Sequence, residues 1–111
     1  MADFPKRGEI YWVDLDPTVG SEIQKTRPAL IISNDAGNEF SSRVIIAPIT
    51  SSAAKIFPFQ VPIDLNDKPR KILLDQIRTI DKARLKNKIT AVPKPIMVLV
   101  EKAIKVSLSL S

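Results

Sequence analysis

Few side chains in this sequence could do chemistry, and they gather in three places. The first is the stretch "TRPALIISND", where Arg27 directly precedes Pro28 and the apolar run Ala29 to Ile32. Proline lacks a backbone N–H and suits the first residue of a strand, so a strand is expected over 28–33. Arg27 then stands at the mouth of a rigid element, its backbone restricted by the proline that follows. A guanidinium held there offers a planar fork of donors to phosphate oxygens, although pairing with a surface carboxylate is the commoner fate of an arginine. The second place is the end of "VIIAPIT", where Thr50 is followed by Ser51 and Ser52. Thr50 fits a turn that bonds nearby backbone, or a hydroxyl donor to a phosphate beside Arg27 if the two strands pair. The third is "LLDQIRTID", with Asp75, Gln76, Arg78 and Asp81 in a strand and the turn after it. Asp75 and Asp81 suit caps or ion pairs, whereas a Gln and an Asp at a strand end can also read base edges.

What is missing narrows the chemistry. The 111 residues contain neither histidine nor cysteine. A Ser-His-Asp triad, a His pair, a His-ligated metal and a thiolate site are therefore excluded. The remaining ligands are carboxylates, and Asp14, Asp16, Asp64, Asp67, Asp75 and Asp81 lack the compact spacing of a calcium loop, so no metal or other cofactor is expected. Seventeen Lys and Arg against twelve Asp and Glu give a net charge of +5, with a pI near 9.7. That balance favours a polyanionic partner, nucleic acid or acidic polypeptide. No apolar run approaches the roughly 18 residues that cross a bilayer, and "MADFPKRGEI" lacks a signal-peptide core. The expectation is a cytoplasmic protein with no membrane association.

The elements that must position these residues are short. The length suits one domain, 1–111. "EIYWVDL" (Glu9 to Leu15) reads as a first strand and "DPTVGSEIQKT" as a long loop. After the strand at 28–33, "NDAGNEFSS" reads as a turn or short helix. Strands are expected at Val44 to Thr50, at Phe57 to Ile63, at Lys71 to Ile77 and at Asn87 to Val92. The run at 57–63, with Pro58 and Pro62, belongs at a sheet edge. Trp12, Tyr11, Phe57 and Phe59 follow strand patterns and read mostly as core, with room for a base to stack on any that is exposed. From Pro95 the apolar positions Ile96, Leu99, Val100, Ala103, Ile104, Val106 and Leu110 follow helical spacing, which outweighs the strict alternation of "VSLSLS". Five or six strands and a terminal helix predict a small, mostly β barrel with a helix packed on it.

Four stretches in order, "RGEIYWVDLDPTVGSE", "TRPALIISND", "APITS" and "LLDQIRTID", resemble the MazF/PemK-type toxins of bacterial toxin–antitoxin pairs nearly end to end. The resemblance implies a PemK/CcdB-like barrel related to SH3-type barrels, a homodimer, and metal-independent, sequence-specific cleavage of single-stranded RNA, chiefly mRNA. It also implies a cognate acidic antitoxin as partner. Arg27 and Thr50 correspond to the family's catalytic pair. Ser21, Glu22, Ser51, Asp75 and Gln76 correspond to RNA-holding positions.

Two departures bear on mechanism. The Kid/PemK branch carries a catalytic arginine two residues before the Asp of the last motif, where this chain has Leu73, and a histidine where it has Ser21. The chain therefore follows the branch that relies on Arg27 and Thr50. Other functions for this fold are a CcdB-like gyrase poison and a non-catalytic RNA-binding barrel. The poison carries its active residues, a tryptophan among them, at the chain end. Here the end reads "SLSLS" and the single tryptophan is Trp12.

Overall fold

The computed structural model describes residues 3–15 and 26–111. In chain order the elements are β1 (Glu9–Asp14), β2 (Thr26–Ile31), α1 (Asp35–Phe40), β3 (Arg43–Thr50), β4 (Gln60–Leu65), β5 (Lys68–Leu73), β6 (Arg78–Asp81), a 3-10 turn (Lys82–Arg84), β7 (Leu85–Ala91) and α2 (Lys94–Ser107). The strands form one antiparallel half-barrel in the order β4-β5-β3-β2-β1-β7, with β6 also pairing β3. Among the described residues β4 and β7 end this order, and β4 is the proline-bearing strand expected at an edge.

Side chains alternate across the central strands into two apolar layers. Ile10, Leu30, Ala47, Ile49, Ile72 and Leu74 meet Met97, Val100 and Ala103 of α2 on one side. Val13, Ala29, Ile31, Val44, Ile46 and Ile80 form the layer on the other. Burial on both faces explains why Ala29 to Ile32 reads as a continuous apolar run without alternation. Each of the larger side chains contributes about 1.5–3 kcal/mol by leaving water.

Local chemistry sets the connections. Asn66 and Asp67 both have positive φ, at 54° and 62°. They form the two-residue loop between the paired Leu65 and Lys68, and their left-handed geometry matches the twist of a hairpin. Gly8, at φ +94°, donates its N–H to Ile31 O (2.9 Å) while its own carbonyl accepts from Val92 N–H (2.9 Å). A side chain at that φ would be strained. Asn34 caps α1 by accepting from Gly37 N–H at 2.7 Å. Helix α2 ends at Ser107, and Leu110 N–H closes back on Lys105 O at 2.8 Å with Ser109 at positive φ. "VSLSLS" is therefore a helix end and its cap.

Several expected boundaries move. Of the strand expected over 71–77 only Lys71 to Leu73 is strand, as the end of β5. Residues 74–77 leave the sheet, and a separate strand, β6, follows at Arg78–Asp81, which makes seven strands among the described residues. The expected strand at 57–63 begins at Gln60 instead. Phe57 and Phe59 precede it as a stacked pair with ring centroids 5.5 Å apart. Phe57, 40% exposed, and Trp12, 36% exposed, are not core residues. Strand β7 starts at Leu85, two residues before the expected Asn87.

A charged network ties the N-terminal segment to β1 and β7. Glu9, only 9% exposed, accepts from Lys6 N–H at 2.7 Å and from Tyr11 OH at 3.0 Å. Its other oxygen pairs with Lys88 Nζ at 2.7 Å. Burial alone would raise the Glu9 pKa, but the bonds from Lys88, Lys6 and Tyr11 outweigh it and hold the carboxyl below its usual value. Burial first, then the adjacent Glu9 carboxylate, pushes Tyr11 up to about 12, so its hydroxyl stays a donor. A lowered carboxyl contributes stability above its unfolded pKa and loses it as pH falls through the folded one. Glu9→Gln should therefore cost about 1 kcal/mol at neutral pH, a fall in Tm of about 5 °C. Thermal melts across the acid range should show a weaker pH dependence for the variant than for wild type. Parallel curves for the two would contradict this.

Candidate active site

Arg27 is the second residue of β2 and pairs with Val13 across β1. The strand thus begins two residues before Pro28 rather than at it. The reason lies in the phase of the hydrogen bonds. Ile32 N–H donates to Ile45 O at 2.9 Å, and backbone donors facing the same neighbour recur at every second residue. Positions 30 and 28 therefore also turn toward β3. Pro28 sits where an N–H would be missed only at the end of that ladder, whose last pair is Ala29↔Pro48. A proline inside a strand is tolerated there because its side of the sheet is running out of partner.

The same register, carried two residues past its last pair, sets Arg27 opposite Thr50. By the hydrogen-bond phase, Arg27 and Thr50 both continue the non-hydrogen-bonded positions of that ladder beyond its last pair. Alternation turns both onto one face: Ala29 and Ile46, in phase with them, share a single apolar layer. Both residues are half-buried. Thr50 Oγ1 accepts from Ser52 N–H at 3.3 Å, the turn expected of it, and keeps its own proton to donate. Ser51, next in the chain, is exposed.

On its other edge β3 pairs with β5 and then β6. From Ile49↔Ile72 to Ile46↔Arg78, β3 moves back three residues while its partner advances six. The three extra residues leave the sheet as a protrusion opposite Ala47 and Pro48. Leu74 turns inward and is fully buried, and Gln76 N–H closes the turn on Leu73 O at 3.3 Å. Asp75 and Gln76 are left exposed at its tip. They lie on a turn and not in the strand expected there, beside the end of β3 that carries Thr50. Ser21 and Glu22 lie outside the described residues.

Two cations, Arg27 and Lys71, lie on the strands either side of Thr50. The ion pairs formed among the described residues join Arg7 to Glu101 and Lys88 to Glu9. Neither uses Arg27, nor Lys71, which pairs directly across from Thr50 on the side away from Arg27. Among the described residues no three Asp, Glu, His or Cys side chains gather as a metal site would require. A fork of donors, a hydroxyl and further positive charge at one strand end can hold a phosphodiester and stabilise charge developing on it.

Sequence reasoning missed two features. Lys71 was read only as the start of a strand, and its signal is the alternation within β5, which sets it out of phase with the buried Ile72. The Glu9–Tyr11–Lys88 network was missed as well, its one signal being the Glu9/Tyr11 i, i+2 spacing on a strand.

Residues 6–108 match the model of a family described as PemK-like, MazF-like toxin of type II toxin–antitoxin system. The chain is 46% identical over 110 residues to endoribonuclease EndoA of Bacillus subtilis (strain 168), spanning 95% of each protein. It is 44% identical over 111 residues to endoribonuclease MazF of Staphylococcus epidermidis, spanning 96% of this chain and 92% of the relative. In three dimensions it resembles an endoribonuclease from Mycobacterial species solved in complex with its cognate antitoxin. That match has a TM-score of 0.82 at 26% identity, over 96% of this chain and 97% of the other.

Proposed function

The chain belongs to the PemK-like, MazF-like toxin family of type II toxin–antitoxin systems, and from that membership we propose how its half-barrel cuts RNA. It is an endoribonuclease, an RNA-cleaving hydrolase and the toxin of such a pair. The substrate is single-stranded RNA, chiefly mRNA, cut at a short sequence. Arg27 and Thr50 carry the reaction. The RNA's own 2′-oxygen attacks the adjacent phosphorus, the bond to the 5′-oxygen breaks, and the proton lost at the first oxygen is balanced by one gained at the second. The products are a 2′,3′-cyclic phosphate and a free 5′-hydroxyl. Arg27 directs two N–H groups at the non-bridging oxygens, and the Thr50 hydroxyl adds a hydrogen bond as negative charge builds on the phosphorane. Ser51 holds the strand beside them, while Asp75 and Gln76 read base edges from the protrusion. Ser21 and Glu22 are further RNA-holding residues.

The observation that supports this reading is the β2–β3 register, whose continuation past Ala29↔Pro48 turns Arg27 and Thr50 to one face. The chain's charge of +5 suits the polyanion. Its partner is an acidic antitoxin whose disordered segment orders across the same site and blocks it. The toxin works in the cytoplasm as a homodimer without metal. Leu99 and Val106, two turns apart on one line of α2, are 45% and 52% exposed, an apolar stripe suited to covering by a second copy.

In single-turnover cleavage of a long defined transcript, Arg27→Ala should slow the reaction by a factor of about 10²–10³ or more. It should change stability by no more than about 0.5 kcal/mol. Thr50→Ala should be severely impaired and Thr50→Ser should retain appreciable activity. An Arg27→Ala enzyme cutting at the wild-type rate would remove the proposed site. Cleavage should continue in excess EDTA, and loss on chelation with recovery in magnesium would overturn the metal-free reaction. Light scattering should give a dimer at micromolar concentration, shifted to monomer by Leu99→Glu with Val106→Glu. A wild-type monomer would contradict the assembly.

A further inference from the structure

Lys71 stands beside Thr50 as its direct partner across β3 and β5. The neighbouring pair, Ile49↔Ile72, points into the apolar layer under α2. Thr50 and Lys71 therefore turn to the opposite face, the one that carries Arg27. On its outer side Lys71 pairs with Pro62, which offers no polar side chain. The half-buried lysine turns back instead toward the segment following β3, and its ammonium donates to Lys55 O at 2.7 Å. One of its three donors is so fixed and two remain. Lys55, whose carbonyl does the fixing, is itself a cation, lying 5.1 Å above the Phe57 ring. Neither lysine takes part in the ion pairs formed among the described residues. Positive groups held side by side without a carboxylate are arranged for an anion that the protein does not itself supply.

We infer that Lys71 is a substrate-contacting residue, binding the RNA phosphate adjacent to the one held by Arg27 and Thr50. This rests on the reading of Arg27 and Thr50 as the cleavage site. Arg27 and Lys71 flank Thr50 from two different strands, about 9.5 Å apart by strand spacing. The bond to Lys55 O holds the ammonium toward the segment that follows β3. One phosphate at Thr50 is thus met by Arg27, and the next along the strand by Lys71.

The test is binding of a mixed-sequence single-stranded DNA oligonucleotide, which lacks the attacking hydroxyl, measured across a salt series. Each phosphate contact contributes about 0.7 to the slope of log affinity against log salt for single strands. Lys71→Met should reduce that slope by about 0.7, Lys71→Arg should restore it, and Lys105→Met on the distant helix α2 should leave it unchanged. Cleavage of the transcript by Arg27→Ala is run beside these. If Arg27→Ala loses cleavage while Lys71→Met keeps the wild-type slope, the inference fails alone and Lys71 only clamps the Lys55 carbonyl. If Arg27→Ala cleaves at the wild-type rate, the site reading fails and takes this inference with it.

Discussion

Strand β3 must satisfy partners along both edges, and on one edge its partner carries three residues too many. β2 occupies one side in an unbroken register. On the other, β5 pairs with Ile49 and Thr50 and β6 with Arg43 to Ile46, leaving only Ala47 and Pro48 to face 73–77. Pro48 has no N–H to offer that gap, so the surplus can leave the sheet without orphaning a donor there. Leu74 anchors it to the core. The residues proposed to meet RNA are disposed around this strand: Arg27 toward one edge, Lys71 across the other, and the exposed Asp75 and Gln76 on the excursion.

How much of this the sequence disclosed follows from which forces are local. Strands β1 to β3 and helix α2 were legible, since composition and periodicity report burial directly. That β2 and β3 pair, so that Arg27 and Thr50 turn to one face, could be stated only as a condition, because register is a property of two strands and neither one encodes it alone. The protrusion was unreadable for the same reason. "KILLDQI" is apolar enough to be one strand, and it breaks only because β3 beside it is three residues short. Pro28 was assigned the right element for an incomplete reason, its tolerance depending on where β3 stops pairing. Phe57 and Trp12 carry strand chemistry yet lie exposed, which aromatic content alone does not distinguish from core.

The comparison with the family sharpens what this chain's own residues must do. It has Leu73 and Ser21 where resemblance to the Kid/PemK branch implies an arginine and a histidine, so in the proposed reaction charge comes from elsewhere. Arg27 is one source. Lys71, one strand beyond Thr50 and two residues before Leu73, is another on the same face. Two of the chain's cations thus flank Thr50, while Glu9 and Lys88 neutralise each other elsewhere.

The central claim is that Arg27 and Thr50 act on one phosphate as a unit because the β2–β3 register opposes them. A double-mutant cycle in single-turnover RNA cleavage tests it most directly, comparing Arg27→Ala, Thr50→Ala and the double variant. Groups that stabilise one transition state together are strongly non-additive. The account predicts a double variant about as slow as the slower single one, and two effects that simply multiply would contradict it.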